Sequence, residues 1–482
     1  MEEKHMDTKK VTTVEAPAKK KREFPNTWLI IAIMIAIVAI LSWIVPSGTY
    51  DYESVDVNGT MRNVAIAGTY RTIDKAEAKP TGFLGVFSAL YQGCVSAADI
   101  VFVVMCCVGT FGIMVKTGAF HAGIGAILKK VGNKAIIVVP VLVVVFGLGG
   151  SLFGMISEFY GFYPLIVGLG VAMGYDAMFG CAIVALGSLI GFMASTLNPY
   201  TVAIQQSIAG VPLYSGLGFR WVCFVVFMGI SIVYLLMYGR RIAKDPSRSL
   251  MKDHKCIHSF KVDDLNQYKF GKRDALIMLD LVVCMVILMF GLIKNGWGYA
   301  QLCGLFLLMS MIAAAIMGWG PNKYINEFVD CVKGVVWGAL LAGLAKGIMV
   351  VMTNAQIIDT IIYALANLLD GAPKWISAQL MLVLQTLINF PVSSGSGQAV
   401  VTMPIMAPLG DVLGLTRQVT CLACQFGDGL SNALWPTCNI VIICGIADVP
   451  YEKWVKWFLP LFGILYVAQM IMLEIAVVMG LS

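Results

Sequence analysis

The sequence predicts an all-α polytopic membrane protein with two inverted repeats, each containing a re-entrant helical hairpin and a broken transmembrane helix. Hydrophobic residues make up 59% of the 482 residues and charged residues only 13%, whereas soluble proteins carry roughly 25% charged residues. Apolar runs of about 20 residues, the length that crosses a bilayer, recur along the chain. Some of these runs are interrupted by Gly, Ser and Pro at corresponding places in the two halves.

Basic residues indicate which ends of the spans are cytoplasmic. Lys19–Arg22 precede the first apolar run, and a second basic group occupies residues 240–273. The positive-inside rule places both groups, and therefore the N-terminus, on the cytoplasmic side. We therefore expect residues 1–24 to be a disordered basic cytoplasmic tail and residues 240–273 to be a cytoplasmic loop. This distribution explains the basic clusters without a nucleic-acid partner.

The first repeat is predicted to occupy residues 25–239. Its predicted segments are a span at 27–45, a polar outer segment at 46–82 with turns at Asn58-Gly59 and Gly68, a stretch at 83–95, a span at 98–117, a hairpin at about 135–172, a broken helix at 177–210 and a span at 219–239. The stretch at 83–95 is moderately amphipathic, which is typical of an interfacial helix and equally of a tilted membrane helix. The hairpin is assigned because the apolar run is too long for one helix and is interrupted at Gly147–Gly154.

Residues 274–482 are predicted to hold one extra span and the second repeat. The predicted segments are the extra span at 274–293, a span at 299–318, a short segment at 322–330, a span at 334–352, a hairpin at about 375–409, a broken helix at 417–447 and a last span at 454–480. Counting crossings from the cytoplasmic loop makes the first hairpin open to the cytoplasm and the second to the outside. The two repeats are therefore predicted to be inverted.

The interruptions predict where a solute binds. Ser195–Pro199 breaks one apolar run and Ser431–Pro436 breaks its counterpart, while Ile208–Pro212 matches Ile446–Pro450. Unpaired backbone groups persist at membrane depth only where protein or a wet cavity surrounds them. Paired breaks in two halves are the sequence feature that marks the binding site of a transporter.

Polar side chains at the hairpin tips and breaks are the candidate ligands of that solute. The predicted substrate-binding residues are Ser151, Glu158, Asn198, Ser393, Ser394, Ser396, Gln398, Asp428, Asn432, Thr437 and Asn439. Neutral oxygens suit Na⁺, so the candidate site for a coupling Na⁺ is near Ser195, Thr196, Gly395 and Ser431, and H⁺ is the alternative coupling ion. No further cofactor is expected.

The charged residues inside the spans bear on the cargo. Glu158, Asp428 and Lys346 are candidates, because a charge at the bilayer centre costs at least about 2.5–3.5 kcal/mol on insertion scales and is usually functional. Neither tip and neither break contains Lys or Arg. This favours a positively charged solute such as a basic amino acid. The alternative is a Na⁺- or H⁺-coupled carrier of C4-dicarboxylates or other organic anions, in which helix N-termini and Na⁺ replace the missing cation.

The sequence does not predict an enzyme. It has neither a Gly-x-x-x-x-Gly-Lys-Ser/Thr loop nor a His-Glu-x-x-His motif, and its four histidines fall in predicted tails or loops. Cys421 and Cys424 have the spacing of a redox or metal pair, but no further Cys or His pattern accompanies them. A channel would favour a continuous polar pore, whereas these breaks are local.

Four segments of this chain resemble a known family. They are Pro391–Gly410, Gln425–Thr437, Ser195–Thr201 and Ile208–Pro212, and they are similar to the YfcC/ArcD-type basic amino acid antiporters, which are grouped with the C4-dicarboxylate anaerobic carriers in the ion transporter superfamily. The resemblance runs from Pro25 to the last span. It implies two inverted repeats, an elevator-type movement, a homodimer in the bacterial cytoplasmic (inner) membrane, and exchange of arginine for ornithine.

The chain departs from this family pattern inside the expected pocket. In Ser151–Tyr163 the family usually has a Thr-rich tip followed by two acidic residues, whereas here only Glu158 is acidic. Lys346 stands where the family often has Arg. These differences leave the identity of the substrate open.

Overall fold

The chain is described by a computed structural model over residues 27–57, 60–120, 122–123, 137–254, 270–295, 297–333, 336–367 and 373–482. The described residues are mostly helical and include several apolar helices, as predicted. The predicted tail at 1–24 and residues 255–269 of the predicted loop lie outside the described residues, as does the turn predicted at Asn58-Gly59.

The first half of the chain includes the helices α1–α9. They are α1 (Thr27–Ile44), α2 (Lys75–Ala78), α3 (Phe83–Ser96), α4 (Ala98–Lys116), α5 (Val138–Phe153), α6 (Phe162–Ala172), α7 (Ala177–Met193), α8 (Val202–Ala209) and α9 (Leu217–Lys244). A π-helical turn at Leu186–Ile190 interrupts α7. A Cβ on Gly191, just after this turn, would lie 2.2 Å from the carbonyl oxygen of Gly147, so α7 and α5 are in direct backbone contact.

The second half forms ten helices within the described residues. They are α10 (Lys272–Asn295), α11 (Tyr299–Ile316), α12 (Pro321–Lys333), α13 (Val336–Asn354), α14 (Ile358–Asn367), α15 (Lys374–Ile388), α16 (Gly395–Val412), α17 (Arg417–Ser431), α18 (Asn439–Ala447) and α19 (Tyr451–Val478). Among the described residues, α4, α9, α11 and α19 are long and apolar enough to cross a membrane, and α13 with α14 makes a fifth if this bent pair is one span. The shorter apolar helices include α5, α6, α7 and α15, which lie where the hairpins and breaks are predicted.

The bend between α13 and α14 was not predicted. The sequence predicts one span at 334–352, whereas the two helices meet at 85° across Ala355–Ile357. Gln356 at this bend has a left-handed backbone, with φ of 50°. A non-glycine residue in this conformation is uncommon, so the surrounding contacts must hold it there.

Short strands in residues 46–82 contact this bend, and they are an addition to the mostly helical fold that was predicted. Residues 46–82 form β1 (Ser47–Thr49), β2 (Tyr52–Val57), β3 (Thr60–Ala65) and β4 (Arg71–Ile73), paired antiparallel as β1–β4 and β2–β3. The amide of Gly48 donates to the carbonyl of Gln356 at 2.9 Å. Asp359 accepts from the amide of Tyr50 at 3.1 Å and from the hydroxyl of Tyr52 at 2.9 Å. Burial, followed by the nearby Asp359 carboxylate, raises the pKa of both tyrosines.

The helix α3, which covers the stretch predicted at 83–95, packs closely on α13. A Cβ on Gly93 would lie 2.3 Å from the carbonyl oxygen of Gly343 and 2.5 Å from the amide nitrogen of Gly347. Small residues allow membrane helices to approach at backbone distance, and van der Waals contact then supplies the attraction. The residues 83–96 therefore form a fixed support for the helix that carries Lys346.

The order of elements from α5 to α9 recurs from α15 to α19. Asp176 caps the start of α7 by accepting from the amide of Phe179, and Thr416 caps α17 by accepting from Val419. The helices α8 and α18 end on left-handed residues, Gly210 and Asp448. These ends lie in the matched sequences Ile208–Pro212 and Ile446–Pro450. The inversion of the two halves relative to the bilayer stays a prediction.

Candidate functional site

The first hairpin tip is bonded to the first break. Helix α5 ends at Gly154, whose φ of 68° requires the freedom of glycine. One turn earlier, the hydroxyl of Ser151 donates to the carbonyl of Ala194 at 3.0 Å and lies 3.1 Å from the hydroxyl of Thr196. The amide of Thr196 in turn donates to the carbonyl of Ser151 at 3.0 Å. The unwound backbone at 194–197 therefore forms hydrogen bonds with Ser151 at the tip.

The second break is tied to its hairpin in a similar way. The side-chain amide of Asn389, just after α15, donates to the carbonyl of Asp428 at 3.0 Å and to the hydroxyl of Ser431 at 2.6 Å. Asn389 was not among the predicted site residues. Its position at the end of an apolar helix, like that of Ser151, is the signal that would have identified it.

The second tip meets the first break at Gly395. A Cβ on this residue would lie 2.6 Å from Oδ2 of Asp428, 2.7 Å from Cγ2 of Thr201 and 3.2 Å from the ring of Phe192. The carboxylate of Asp428 is 0% exposed, and its Oδ2 has no hydrogen-bond partner among the described residues. The tip therefore lies directly over a buried carboxylate oxygen.

A chain of side-chain hydrogen bonds links the second break to the first hairpin. Asn432 donates to Oδ1 of Asp428 at 3.2 Å, and Asn439 donates to Oδ1 of Asn432 at 3.2 Å. The hydroxyl of Tyr160, in the first hairpin, donates to Oδ1 of Asn439 at 3.0 Å. Polar side chains from both halves of the sequence thus form one network.

A cavity of about 510 Å³ opens between the two tips. Of the predicted substrate-binding residues, those that line it are Glu158, Ser393, Ser394, Ser396, Asn432, Thr437 and Asn439. Gly154 of the first tip and Gly395 of the second also line it, so the two tips do lie at one site. Cavities of 300–1,000 Å³ are typical of small-molecule sites.

The other predicted residues lie behind this wall. Ser151, Asn198, Gln398 and Asp428 do not line the cavity. Asn198 donates to the hydroxyl of Ser195 and accepts from the amide of Tyr200. Gln398 donates to the side chain of Gln385 at 2.6 Å. These hydrogen bonds fix the backbone of the tips and breaks, so these residues support the cavity wall and do not form its surface.

The residues predicted to hold Na⁺ occupy different parts of this arrangement. The hydroxyl of Ser195 donates to the carbonyl of Phe192, and that of Thr196 meets Ser151. Ser431 donates to the carbonyl of Gly427, while Gly395 lines the cavity. Among the described residues, no cluster of three or more His, Cys, Asp or Glu side chains could hold a metal ion.

Three residues that line the cavity carry formal charges. Asp99 and Glu158 are acidic and Lys346 is basic. Glu158 accepts from the amide of Ile156 at 3.1 Å, and Lys346 forms no ion pair with any residue that the structure describes. Sequence reasoning missed Asp99, because it stands at the start of the span predicted at 98–117, away from the tips and breaks.

A second cation reaches the first break from α9. Arg220 is 1% exposed, and its Nη1 donates to the carbonyl of Ser195 at 3.3 Å. The premise that no Lys or Arg lies at either break is therefore wrong in three dimensions, although it holds along the sequence. Arg220 does not line the cavity, whereas Lys346 does.

Comparisons with known proteins identify relatives over the whole chain. The family described as C4-dicarboxylate anaerobic carrier matches residues 24–478. YfcC of Escherichia coli, whose assignment as a basic amino acid antiporter is provisional, is 31% identical over 501 aligned positions that cover 97% of this chain and 99% of YfcC. A protein of unassigned function from Haemophilus influenzae is 28% identical, covering 96% of this chain and 99% of that protein. The crystal structure of the Alcanivorax borkumensis YdaH transporter matches with a TM-score of 0.43 at 15% identity, covering 95% of this chain and 99% of YdaH.

Proposed function

Because this chain belongs to the C4-dicarboxylate anaerobic carrier family and is a secondary transporter rather than an enzyme, the open question is its cargo, and we propose that it exchanges basic amino acids, arginine against ornithine. The provisional assignment of YfcC supports this choice of cargo. The family description names dicarboxylates instead, so the choice depends on the chemistry of the cavity.

The charge of the cavity is the observation that carries the proposal. Two carboxylates, Asp99 and Glu158, and one ammonium, Lys346, line it, which leaves a formal charge of 2 − 1 = 1 negative unit. A basic amino acid has two cationic groups and one carboxylate, so it complements this set. A dicarboxylate would face two carboxylates with one ammonium to offset them, and like charges at a binding site cost several kcal/mol.

The neutral groups of the tips complete the proposed site. Ser393, Ser394 and Ser396 line the cavity at the start of α16, and Asn432 and Asn439 line it near α18. Hydroxyl and amide groups of this kind fix the orientation of a small ligand through a few placed hydrogen bonds.

We propose that the cargo moves by alternating access between two inverted repeats, with an elevator-type displacement of the tips within a homodimer. The recurring order of α5–α9 and α15–α19 supports the repeats. Exchange of one cation for another needs no coupling ion, so a Na⁺ or H⁺ requirement would point to net transport. The protein is a multi-pass membrane protein, and we place it in the bacterial cytoplasmic membrane with a cytoplasmic N-terminus.

Counterflow in proteoliposomes tests the proposed function. Vesicles that contain purified protein and internal ornithine are expected to take up labelled arginine, and vesicles without internal ornithine or without protein are not. Labelled succinate is tested in parallel with internal succinate, with and without a Na⁺ or H⁺ gradient. Counterflow of succinate without counterflow of arginine would overturn the proposal in favour of organic anions.

A further inference from the structure

We propose that the cavity recognises the two ends of a basic amino acid separately, with Lys346 and the free amides of α16 binding the α-carboxylate, and Asp99 and Glu158 binding the side-chain cation. This assignment rests on the proposed function and specifies its binding mode. It adds Lys346 and Asp99 to the predicted substrate ligands, and it gives Glu158 a defined role.

The carboxylate end is assigned from groups that lack partners. The ammonium of Lys346 lies on α13 close to Cys438, next to the start of α18. Across the described residues it has neither an ion pair nor a hydrogen bond. The amides of Gly395 and Ser396, the first two of α16, also have no acceptor in the described chain. An ammonium together with helix N-terminal amides binds a carboxylate through charge-assisted hydrogen bonds.

The cation end is assigned from the acidic part of the wall. Tyr299 lies close to both Asp99 and Glu158, so the two carboxylates belong to the same part of the cavity. Trp297, two residues before Tyr299 in the sequence, lines the same cavity. A guanidinium binds carboxylates through its fixed fork of N–H groups and also stacks on aromatic rings.

The two ends are separate in the structure. Lys346 is not within ion-pair distance of either Asp99 or Glu158, even though all three line one cavity. Opposite charges that line a common space without pairing leave room for a ligand with the opposite polarity. Arginine carries its carboxylate and its guanidinium at opposite ends of a flexible chain, which fits this arrangement.

A substrate-by-variant cycle tests the carboxylate end. The probes are arginine and its decarboxylated analogue agmatine, each measured as a competitor of labelled-arginine exchange in proteoliposomes. Because a charged hydrogen bond is lost, Lys346→Gln is expected to lower the apparent affinity for arginine about tenfold or more. Agmatine lacks the carboxylate, so its apparent affinity is expected to change by less than about twofold in the same variant. The loss from removing the Lys346 ammonium and the loss from removing the substrate carboxylate are therefore not additive. Lys346→Arg, which keeps the positive charge, is expected to restore most of the preference for arginine.

The cation end has its own probe. Citrulline has the length of arginine but a neutral end group. Asp99→Asn is expected to reduce the preference for arginine over citrulline at least about threefold. It is also expected to lower the apparent affinities for arginine and agmatine by the same factor. Asp99 is exposed and forms no ion pair among the described residues, so this variant is expected to fold. Lys333→Gln and Asp330→Asn, which disrupt an exposed ion pair on α12, are the matched controls.

The results separate two kinds of failure. If wild-type protein exchanges arginine but Lys346→Gln lowers the apparent affinities for arginine and agmatine by the same factor, the two-ended assignment is wrong and the proposed function stands. An unchanged arginine-to-citrulline preference in Asp99→Asn would likewise overturn the cation end. If wild-type protein carries no arginine, the proposed function itself is wrong and the assignment is rejected with it.

Discussion

Tyr160 donates a hydrogen bond of 3.0 Å to Asn439, and this contact joins the first hairpin to the half-helix after the second break. The two residues are 279 positions apart in the sequence. Tyr160 is nearly fully buried, and Asn439 lines the cavity. The contact therefore positions a cavity residue from the opposite half of the chain.

Removing this hydroxyl is expected to affect transport more than stability. Tyr160→Phe is expected to lower the free energy of unfolding by about 1 kcal/mol, the usual value of one hydrogen bond, and to slow arginine exchange because Asn439 loses its anchor. Thermal unfolding in detergent and exchange in proteoliposomes measure the two effects. Tyr234→Phe is the control, because it removes a bond to the carbonyl of Trp457 outside the cavity. Equal exchange rates in the two variants would contradict a positioning role for Tyr160.

A methyl group at the second tip is expected to disrupt the contact between the tip and the first break. In Gly395→Ala the new Cβ would lie 2.6 Å from Oδ2 of Asp428. Overpacking of this kind costs about 1–3 kcal/mol. Exchange is expected to fall sharply. Gly397→Ala is the matched control on the same helix, since its Cβ would have no neighbour closer than 3.3 Å, and it is expected to stay close to wild type. The comparison is made by counterflow at matched protein per vesicle.

The carboxylate beneath the tip provides a third prediction. Asp428→Asn keeps Oδ1 as the acceptor for Asn432, so the variant is expected to fold normally. We predict that exchange falls at least about tenfold, because a buried ionisable group in a membrane span is usually functional. Expression and gel-filtration behaviour, compared with wild type, establish folding. Full exchange activity in this variant would remove the carboxylate from the mechanism.

The contacts of β1 and β2 with Asp359 are expected to contribute stability. Asp359→Asn weakens the acceptor for the Tyr50 amide and the Tyr52 hydroxyl, and the loss of bonds to a charged group costs about 1.5–3 kcal/mol. The melting temperature in detergent is expected to fall accordingly. Asp51→Asn, which breaks an exposed pair with Arg71, is the control and is expected to change stability by less than about 1 kcal/mol. A similar loss in both variants would show that the position of Asp359 is not special.

Packing of α3 on α13 provides a fifth prediction. Gly93→Ala would place a Cβ 2.3 Å from the carbonyl oxygen of Gly343, so the helices must separate and stability is expected to fall by about 1–3 kcal/mol. Gly229→Ala on α9 meets no atom within 4 Å and is expected to be neutral. Thermal unfolding of both variants in one detergent compares them. A neutral Gly93→Ala would mean that α3 is not fixed against α13.

Local sequence features predicted much of this architecture. Apolar runs and Gly/Ser interruptions indicated a helical membrane transporter, and the predicted tip residues 393–396 do line the cavity. Sequence could not reveal the bend at Ala355–Ile357, because that bend is held by contacts with strands some 300 residues away. Nor could it place Arg220 against Ser195, or Asp99 and Glu158 in one cavity, since those arrangements depend on how whole helices pack.

The attachment of β1 to the bend has a practical consequence. Just past the end of the helix that carries Lys346, Ser47 and Gly48 donate hydrogen bonds to the carbonyls of Ala355 and Gln356, nine and ten residues beyond Lys346, which is about 14–15 Å along a helix axis. A fluorophore at exposed Ser54 on β2 would therefore sit on a fixed landmark. Energy transfer from that landmark to a dye near Val412, at the end of α16, would test in single molecules whether the second tip moves relative to β2.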